Sequence, residues 1–348
     1  MLASAPWLSM IRSLYWGPAG ERLSHALRSE GEVECASDWR SWKRRGGAIW
    51  IDILHPDREQ LAHLAQIFDL HQVALEMIMT PRSRPKLTTF DHFLMLRMYG
   101  PKDLPIVHTR RAPLDKVEEL SIVVGDRFAI TIHDDLLPAL ETIWKDHERD
   151  TEPPNDVSEL VHEVMDNVVD RFFPTLDEMV DRVEEIQEVA FMGTAGGSVD
   201  RAKVQELFNL KRQLNNLHRI LEPQRSAIAI LAREDLPFFR TDSAAFQDIY
   251  DHAGRQSDVI SVYVDLLLSA RESYMVRMSN VLATSAKTLL SLTLFFAIPT
   301  FVFTTYGMNF DHMPELRLPF GHGLPLLIVL LADTALFTYF NRKLRLFG

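Results

Sequence analysis

The 348-residue sequence predicts an α+β soluble body joined by one long helix to two C-terminal membrane spans. Three observations carry this. Short β-branched and aromatic runs alternate with helical periodicity up to about residue 150. A stretch with no proline runs from Ser243 to Pro299. Two apolar segments then follow, Thr288–Tyr306 without a charge and Gly323–Phe340 with one, Asp333.

Residues 1–46 are read as an N-terminal arm. "MLASAPWLSMIRSLYWGPAG" has Arg12 at its centre and no charged region ahead of an apolar core, so it is not a cleaved signal peptide but a short amphipathic helix or a disordered arm. Residues 47–150 form a cytoplasmic α/β domain. "AIWIDIL", Ala48–Leu54, reads as a strand, and "HPDREQLAHLAQIFDLH" as a helix with Pro56 in its first turn. "FDHFLMLRMYG" is a further strand, and "VEELSIVVGDRFAITIHD" a hairpin around Gly-Asp-Arg. Residues 151–242 are helical, broken by "GTAGGS", with acids on solvated faces.

Residues 243–306 are a stalk helix continuous with the first span. From Ser243 to Pro299 it covers roughly 80 Å, longer than globular helices. Residues 307–322 form an external loop, 323–341 the second span and 342–348 a basic tail. Arg271, Arg277 and Lys287 precede the first span and Arg342, Lys343 and Arg345 follow the second, whereas the loop has only Arg317. The positive-inside rule places both termini in the cytoplasm.

Steps of seven along the long helix meet Asp251, Asp258, Asp265, Glu272, Ser279, Ala286, Thr293 and Thr300. Ala297 and Thr304 widen the same stripe. Residues seven apart share one side of a supercoiling helix. One account is a solvated stalk face followed by ordinary helix-packing residues. The other is a ring of identical helices around an aqueous path, with acids concentrating cations and Glu272, Ser279, Ala286, Thr293, Ala297, Thr300 and Thr304 lining the pore. A solvent face has no reason to continue as the small, polar face inside lipid. Two spans cannot enclose a pore, so a conducting form is a homo-oligomer.

Composition excludes other classes. The formal charge of −11 opposes a nucleic-acid footprint, and the single Cys35, read as inert, permits neither an intrachain disulfide nor a Cys-rich zinc site. There is no G-x-x-x-x-G-K-[ST] run and so no nucleotide cofactor, and no nucleophile–base constellation of an enzyme.

"YGMNFDHMPEL", Tyr306–Leu316, lies between the spans. It resembles the signature of the CorA family of magnesium transporters: Gly307, Met308 and Asn309 match Gly-Met-Asn, and Met313–Leu316 match Met-Pro-Glu-Leu. "DIYDH", Asp248–His252, is similar to the family's Asp-Val-Tyr-Asp-His, Lys287 stands near the inner boundary, and "WIDI" and "RPK" fit the cytoplasmic domain. The resemblance covers residues 47–348. It implies a homopentamer in the inner membrane, a funnel-shaped α+β cytoplasmic domain, a stalk running into the first span, and an outer ring of second spans.

It further implies Mg²⁺ as the ion carried. Mg²⁺ holds its water shell tightly, so a ring of Asn309 carbonyls, joined by Gly307 backbone carbonyls, would accept hydrogen bonds from the shell. Met308 packs the loop, while Asp311 and Glu315 attract cations outside. Influx runs down the electrochemical gradient. Asp248, Glu76 and Asp251 are the candidate regulatory metal residues. Better-known members place an Asp after Leu-Glu to face the stalk Asp of a neighbour across a closing Mg²⁺. Here that position is Met77, a poor Mg²⁺ ligand, so inhibition by internal Mg²⁺ is expected to be weakened or moved. Ala283 replaces the common Asn at the pore's inner mouth. His312 and His322 would suit Zn²⁺, Co²⁺ or Ni²⁺ if they act at all. Asp333 is expected to be a protonated or hydrogen-bonded structural residue, or else a lateral ion-binding one. The alternatives are a membrane scaffold or sensor with little transport, and a Zn²⁺, Co²⁺ or Ni²⁺ transporter.

Overall fold

In the computed structural model, residues 10–18, 20–28, 32–102, 116–149, 154, 156–192, 201–233, 243–308, 314, 319–321 and 323–344 are described. Two units compose it: Met1–Val189 with Asp200–Ala270, and Ala190–Val199 with Arg271–Gly348.

The first unit is built on one seven-stranded sheet. Its strands are β1 (Met10–Trp16), β2 (Arg22–Arg28), β3 (Ala48–Leu54), β4 (Lys86–Thr89), β5 (Phe93–Pro101), β6 (Val117–Gly125) and β7 (Phe128–His133). They lie in the order β2-β1-β3-β7-β6-β5-β4, and β3–β7 is the parallel pair, with Asp52 opposite Thr131. Both faces are covered, which explains why the strands read as nearly continuous apolar runs. Ile49, Ile51, Ile53, Met95 and Ile130 pack against α1 (Glu32–Arg45), α2 (Arg58–Phe68) and α3 (Gln72–Ile78). Trp50, Leu96, Met98 and Ile122 face α4 (Pro138–Arg149), α5 (Val157–Asp170), α7 (Arg201–Arg233) and the first turns of α8 (Ser243–Tyr306). α6 (Phe172–Met192) completes the helical region, and α9 (Gly323–Leu344) lies in the second unit.

The arm expected over residues 1–46 is not an arm from Met10 onward. β1 is buried between β2 and β3, paired antiparallel to both. Its single charge disguised it, and that charge is the key to the strand. Arg12, Asp52 and Thr131 stand in register on three adjacent strands. Arg12 Nε is 2.8 Å from Asp52 Oδ2, its Nη1 is 2.8 Å from Glu141 on α4, and its guanidinium lies 4.4 Å from the centre of the Trp144 ring. Thr131 donates to Asp52 Oδ1, and Trp50 Nε1 donates to Thr131 at 3.1 Å. The tight entry to β3 depends on Gly47 at φ +103, where a Cβ would meet the Trp16 carbonyl at 2.2 Å. Asp57, not Pro56, starts α2, through a capping box with Gln60.

His133 extends the polar row. Its Nε2 is 3.2 Å from Asp52 Oδ1 and its Nδ1 is 2.7 Å from the carbonyl oxygen of Asp135. Both partners are acceptors, so both ring nitrogens carry protons. Burial opposes the charge on each group, but the facing partners outweigh it. Asp52 is lowered to about 2, held there by His133, Arg12 and Thr131, and His133 is raised by Asp52 and the Asp135 carbonyl.

Removing one partner of such a buried set leaves the others uncompensated. Asp52→Ala is expected to cost about 3–5 kcal/mol, read as a lower midpoint in thermal unfolding of the detergent-solubilised chain. The pH dependence follows from the signs. The share due to Asp52 is present above 3.8 and lost as pH falls toward 2. The share due to His133 is complete below 6.5 and lost as pH rises through its elevated value. Melting temperature is therefore expected to fall as pH rises above 6.5 and through the raised value of His133, and His133→Gln to flatten that fall.

Candidate functional site

In the second unit, α8 and α9 carry long apolar surfaces without cover. Only 6% of the most apolar window of α8, and 11% of that of α9, is buried. Leu282, Leu290, Phe296 and Phe301 on α8 and Leu330 and Leu331 on α9 are all more than half exposed. These are the two expected spans. The proline-free pattern was right about the long helix, and Pro299 sits inside it without ending it.

Glu272, Ser279, Ala286, Thr293, Ala297, Thr300 and Thr304 are all exposed along α8. Apolar neighbours are exposed too, so chemistry separates the column from them. Thr293 donates its hydroxyl proton to the Leu289 carbonyl at 2.8 Å and Thr300 to that of Phe296 at 2.7 Å. With the proton committed to the backbone, the oxygen lone pairs are left for an outside donor such as a water of a hydrated cation. The helix closes where the Gly307 amide donates to the Phe303 carbonyl at 2.8 Å. A Cβ on Gly307 would stand 3.1 Å from that same oxygen, so glycine keeps this end unencumbered. Met308 follows, 55% exposed. Asn309, Asp311, Glu315, His312 and His322 lie outside the described residues.

Asp333 on α9 is half-buried, and its Oδ1 has no hydrogen-bond partner among the described residues.

In the first unit a second constellation forms. Asp166 and Asp170, four apart on α5, share one helix face, and His252 on α8 meets them. The three ligand atoms lie within 4.8 Å of one another. His252 Nδ1 is 2.8 Å from Asp170 Oδ1, and its Nε2 is 3.8 Å from Asp248. Burial raises the pKa of Asp166, and the negative charges of Asp170 and Asp248 raise it further, against His162 and His252. A divalent cation would relieve this repulsion. The donors, one imidazole and two carboxylates, suit Co²⁺, Ni²⁺ or Zn²⁺ better than Mg²⁺, which takes an oxygen shell.

Of the residues expected to regulate, only Asp248 borders this cluster. Asp251 is exposed and accepts from Gln247 Nε2 at 3.0 Å. Glu76 is exposed on α3, 3.4 Å from Gln72 Nε2. Met77 is half-buried, its carbonyl accepts from Arg97, and it lines a cavity of about 470 Å³ together with Glu76, Arg84 and Lys86. Sequence reasoning missed Asp166 and Asp170. Their spacing was a signal, but it lay among many acids of helices with solvated faces.

Comparison with known proteins decides the family. A family model described as "CorA-like Mg2+ transporter protein" matches residues 45–342. The chain belongs to the CorA-like family. It is 30% identical over 278 residues to the YfjQ protein of Bacillus subtilis (strain 168), covering 78% of this chain and 82% of the relative. It is 25% identical over 299 residues to the "Cobalt/magnesium transport protein CorA" of Thermotoga maritima, covering 84% and 82%. The complete CorA magnesium transporter structure from Methanocaldococcus jannaschii matches with a TM-score of 0.76 at 19% identity, over 96% of this chain and 98% of that one. The full-length CmaX protein structure matches with a TM-score of 0.74 at 19% identity, over 98% and 99%. This CorA-like chain is therefore a divalent-cation transporter with two C-terminal membrane helices, and its soluble and helical parts have the CorA fold.

Loss of a ligand should be visible in metal binding. Asp170→Ala and His252→Ala are each expected to weaken Co²⁺ binding to the detergent-solubilised chain by about tenfold or more in calorimetric titration. Glu76→Ala, outside the cluster, leaves it unchanged.

Proposed function

We propose that five copies of this chain form a channel that carries hydrated Mg²⁺ into the cytoplasm, with both termini of every copy inside. The observation that carries this reading is the exposed column on α8 that leads, through hydroxyls already bonded to the backbone, to Gly307. Repeated around an axis, the column makes a path of small side chains and outward oxygen lone pairs. It can accept hydrogen bonds from the inner water shell of Mg²⁺ without removing that shell, which Mg²⁺ gives up reluctantly.

At the outer mouth the ring of Asn309 side-chain carbonyls, with those of the Gly307 backbone, recognises the hydrated ion. Neutral amides hold it weakly enough for release. Met308 packs the mouth, and Asp311 and Glu315 raise the local cation concentration. A divalent ion entering an inside-negative compartment gains about 4.6 kcal/mol per 100 mV, so no nucleotide is needed.

Control from the inside is altered relative to better-known members. Met77 offers a thioether, and Arg84 and Lys86 share its cavity, a combination that disfavours Mg²⁺. The Asp166–Asp170–His252 cluster is the better candidate for a regulatory cation, and its imidazole favours Co²⁺, an ion named for the Thermotoga maritima relative.

Proteoliposomes containing a Mg²⁺ dye test the reading. Influx is expected to fall by about tenfold or more in Asn309→Ala, as for the loss of a selectivity ligand. An absence of uptake, or uptake unchanged by Asn309→Ala, would favour the scaffold or sensor instead. Preloading the cytoplasmic side with Mg²⁺ should inhibit little, and inhibition lost in Met77→Ala would overturn the view of Met77.

A further inference from the structure

A cavity of about 730 Å³ opens at one end of the sheet. Pro56, just beyond β3, and Asp134, just beyond β7, line it, so it lies past the carboxyl ends of the parallel pair. Crevices in that position are where α/β sheets hold ligands, and the volume is that of a small-molecule site. α7 contributes Asn216 and Arg219, and the segment between α3 and β4 contributes Arg82 and Arg84.

Most of the acids in this cavity are already committed. Glu118 Oε1 accepts from the backbone amides of Asp134 at 3.0 Å and Asp135 at 3.1 Å, and its Oε2 is 2.8 Å from Lys102. Asp135 holds the same ammonium at 2.5 Å. Glu119 faces Arg97 at 2.8 Å and accepts from the Ser83 amide at 3.1 Å. His133 is spent on Asp52. What remains is Arg84 and Arg219, from separate elements, with the carboxylate of Asp134 against them; Arg82, which has interactions of its own, shares the lining.

The loop that presents two of these arginines is held in an unfavourable shape. Arg82 adopts φ 55, a left-handed conformation uncommon for a residue other than glycine. Pro81 and Pro85 bracket it, the Tyr99 hydroxyl donates to the Ser83 carbonyl at 2.8 Å, and the Ser83 amide is tied to Glu119. Strain of this kind persists where surrounding contacts over-determine the backbone, commonly at ligand clamps.

We propose that this cavity binds a small phosphorylated anion, with Arg84 and Arg219 as its clamp. Planar guanidinium forks match phosphate oxygens in pairs, which a lone ammonium does not. Arg84 also lines the cavity of Glu76 and Met77, so the occupant sits beside that position. Binding here goes beyond ion transport and does not depend on the channel reading.

The test is calorimetric titration of the detergent-solubilised full chain in Mg²⁺-free buffer, with inorganic phosphate, AMP and citrate as probes. Saturable binding of phosphate or AMP is expected, one per chain. Arg84→Ala and Arg219→Ala, both exposed positions, should each weaken it by about tenfold or more, as expected for a charge-assisted hydrogen bond. Asn216→Trp, which fills the cavity without altering charge, should abolish it. Arg225→Ala, an arginine of α7 outside the cavity, should leave it unchanged. The proposal is overturned if neither phosphate nor AMP saturates, if binding survives both arginine substitutions, or if citrate binds as tightly as AMP.

Discussion

On α8, Leu282, Leu290, Phe296 and Phe301 present more than half of their surface, as do Leu330 and Leu331 on α9. Full burial of a fully exposed side chain of this kind gains about 1.5–3 kcal/mol, and each of these forgoes more than half of that. Water cannot be the natural surrounding of a surface made of many of them. A bilayer supplies the cover. The rest of the molecule's organisation follows from that constraint: a helix of 64 residues is long enough to belong both to a soluble core and to a hydrocarbon layer. Phe246, Ile249 and Ala253 near its start are fully packed, whereas its last third is bare.

Carboxylates serve three different physical ends along the same acidic chain. Asp52 is buried and kept ionised by Arg12, His133 and Thr131, so it binds three strands and α4 together. Asp166 is crowded instead by Asp170 and Asp248, whose charges and its own burial raise its pKa. Asp258, Asp265 and Glu272 stay exposed on α8, where they contribute to a field. What distinguishes the three groups is desolvation and the partners present, not residue type.

Cations are distributed as unevenly. Arg97 and Lys102 are consumed by Glu119, Glu118 and Asp135. Arg84 and Arg219 are not placed against those acids, and they border open space at the end of the sheet. Net charge says nothing of this arrangement, because it emerges only when strand ends, a strained loop and α7 meet.

Much of the architecture was legible because it is periodic or local. Ala48–Leu54 is the strand that its Ile, Trp and Ile run predicted, and the Gly-Asp-Arg turn joins β6 and β7. Hydropathy placed α8 and α9, because a membrane span must be apolar along its whole length, a requirement written in consecutive residues. The Gly-Met-Asn signature pointed to the family from a segment of which Gly307 and Met308, but not Asn309, are among the described residues. Strand β1 was misjudged, since Arg12 looks like a break in an apolar run until Asp52 and Glu141, remote in sequence, are brought to it. Asp166 and Asp170 were hidden for the same reason, since His252, which meets them, is remote in sequence. The sequence by itself determined the long helix, the two spans, the family and the chemistry of the column. Tertiary structure alone decided which charges are paired, crowded or left facing a cavity, because Coulomb and desolvation energies depend on distances between residues far apart in the chain.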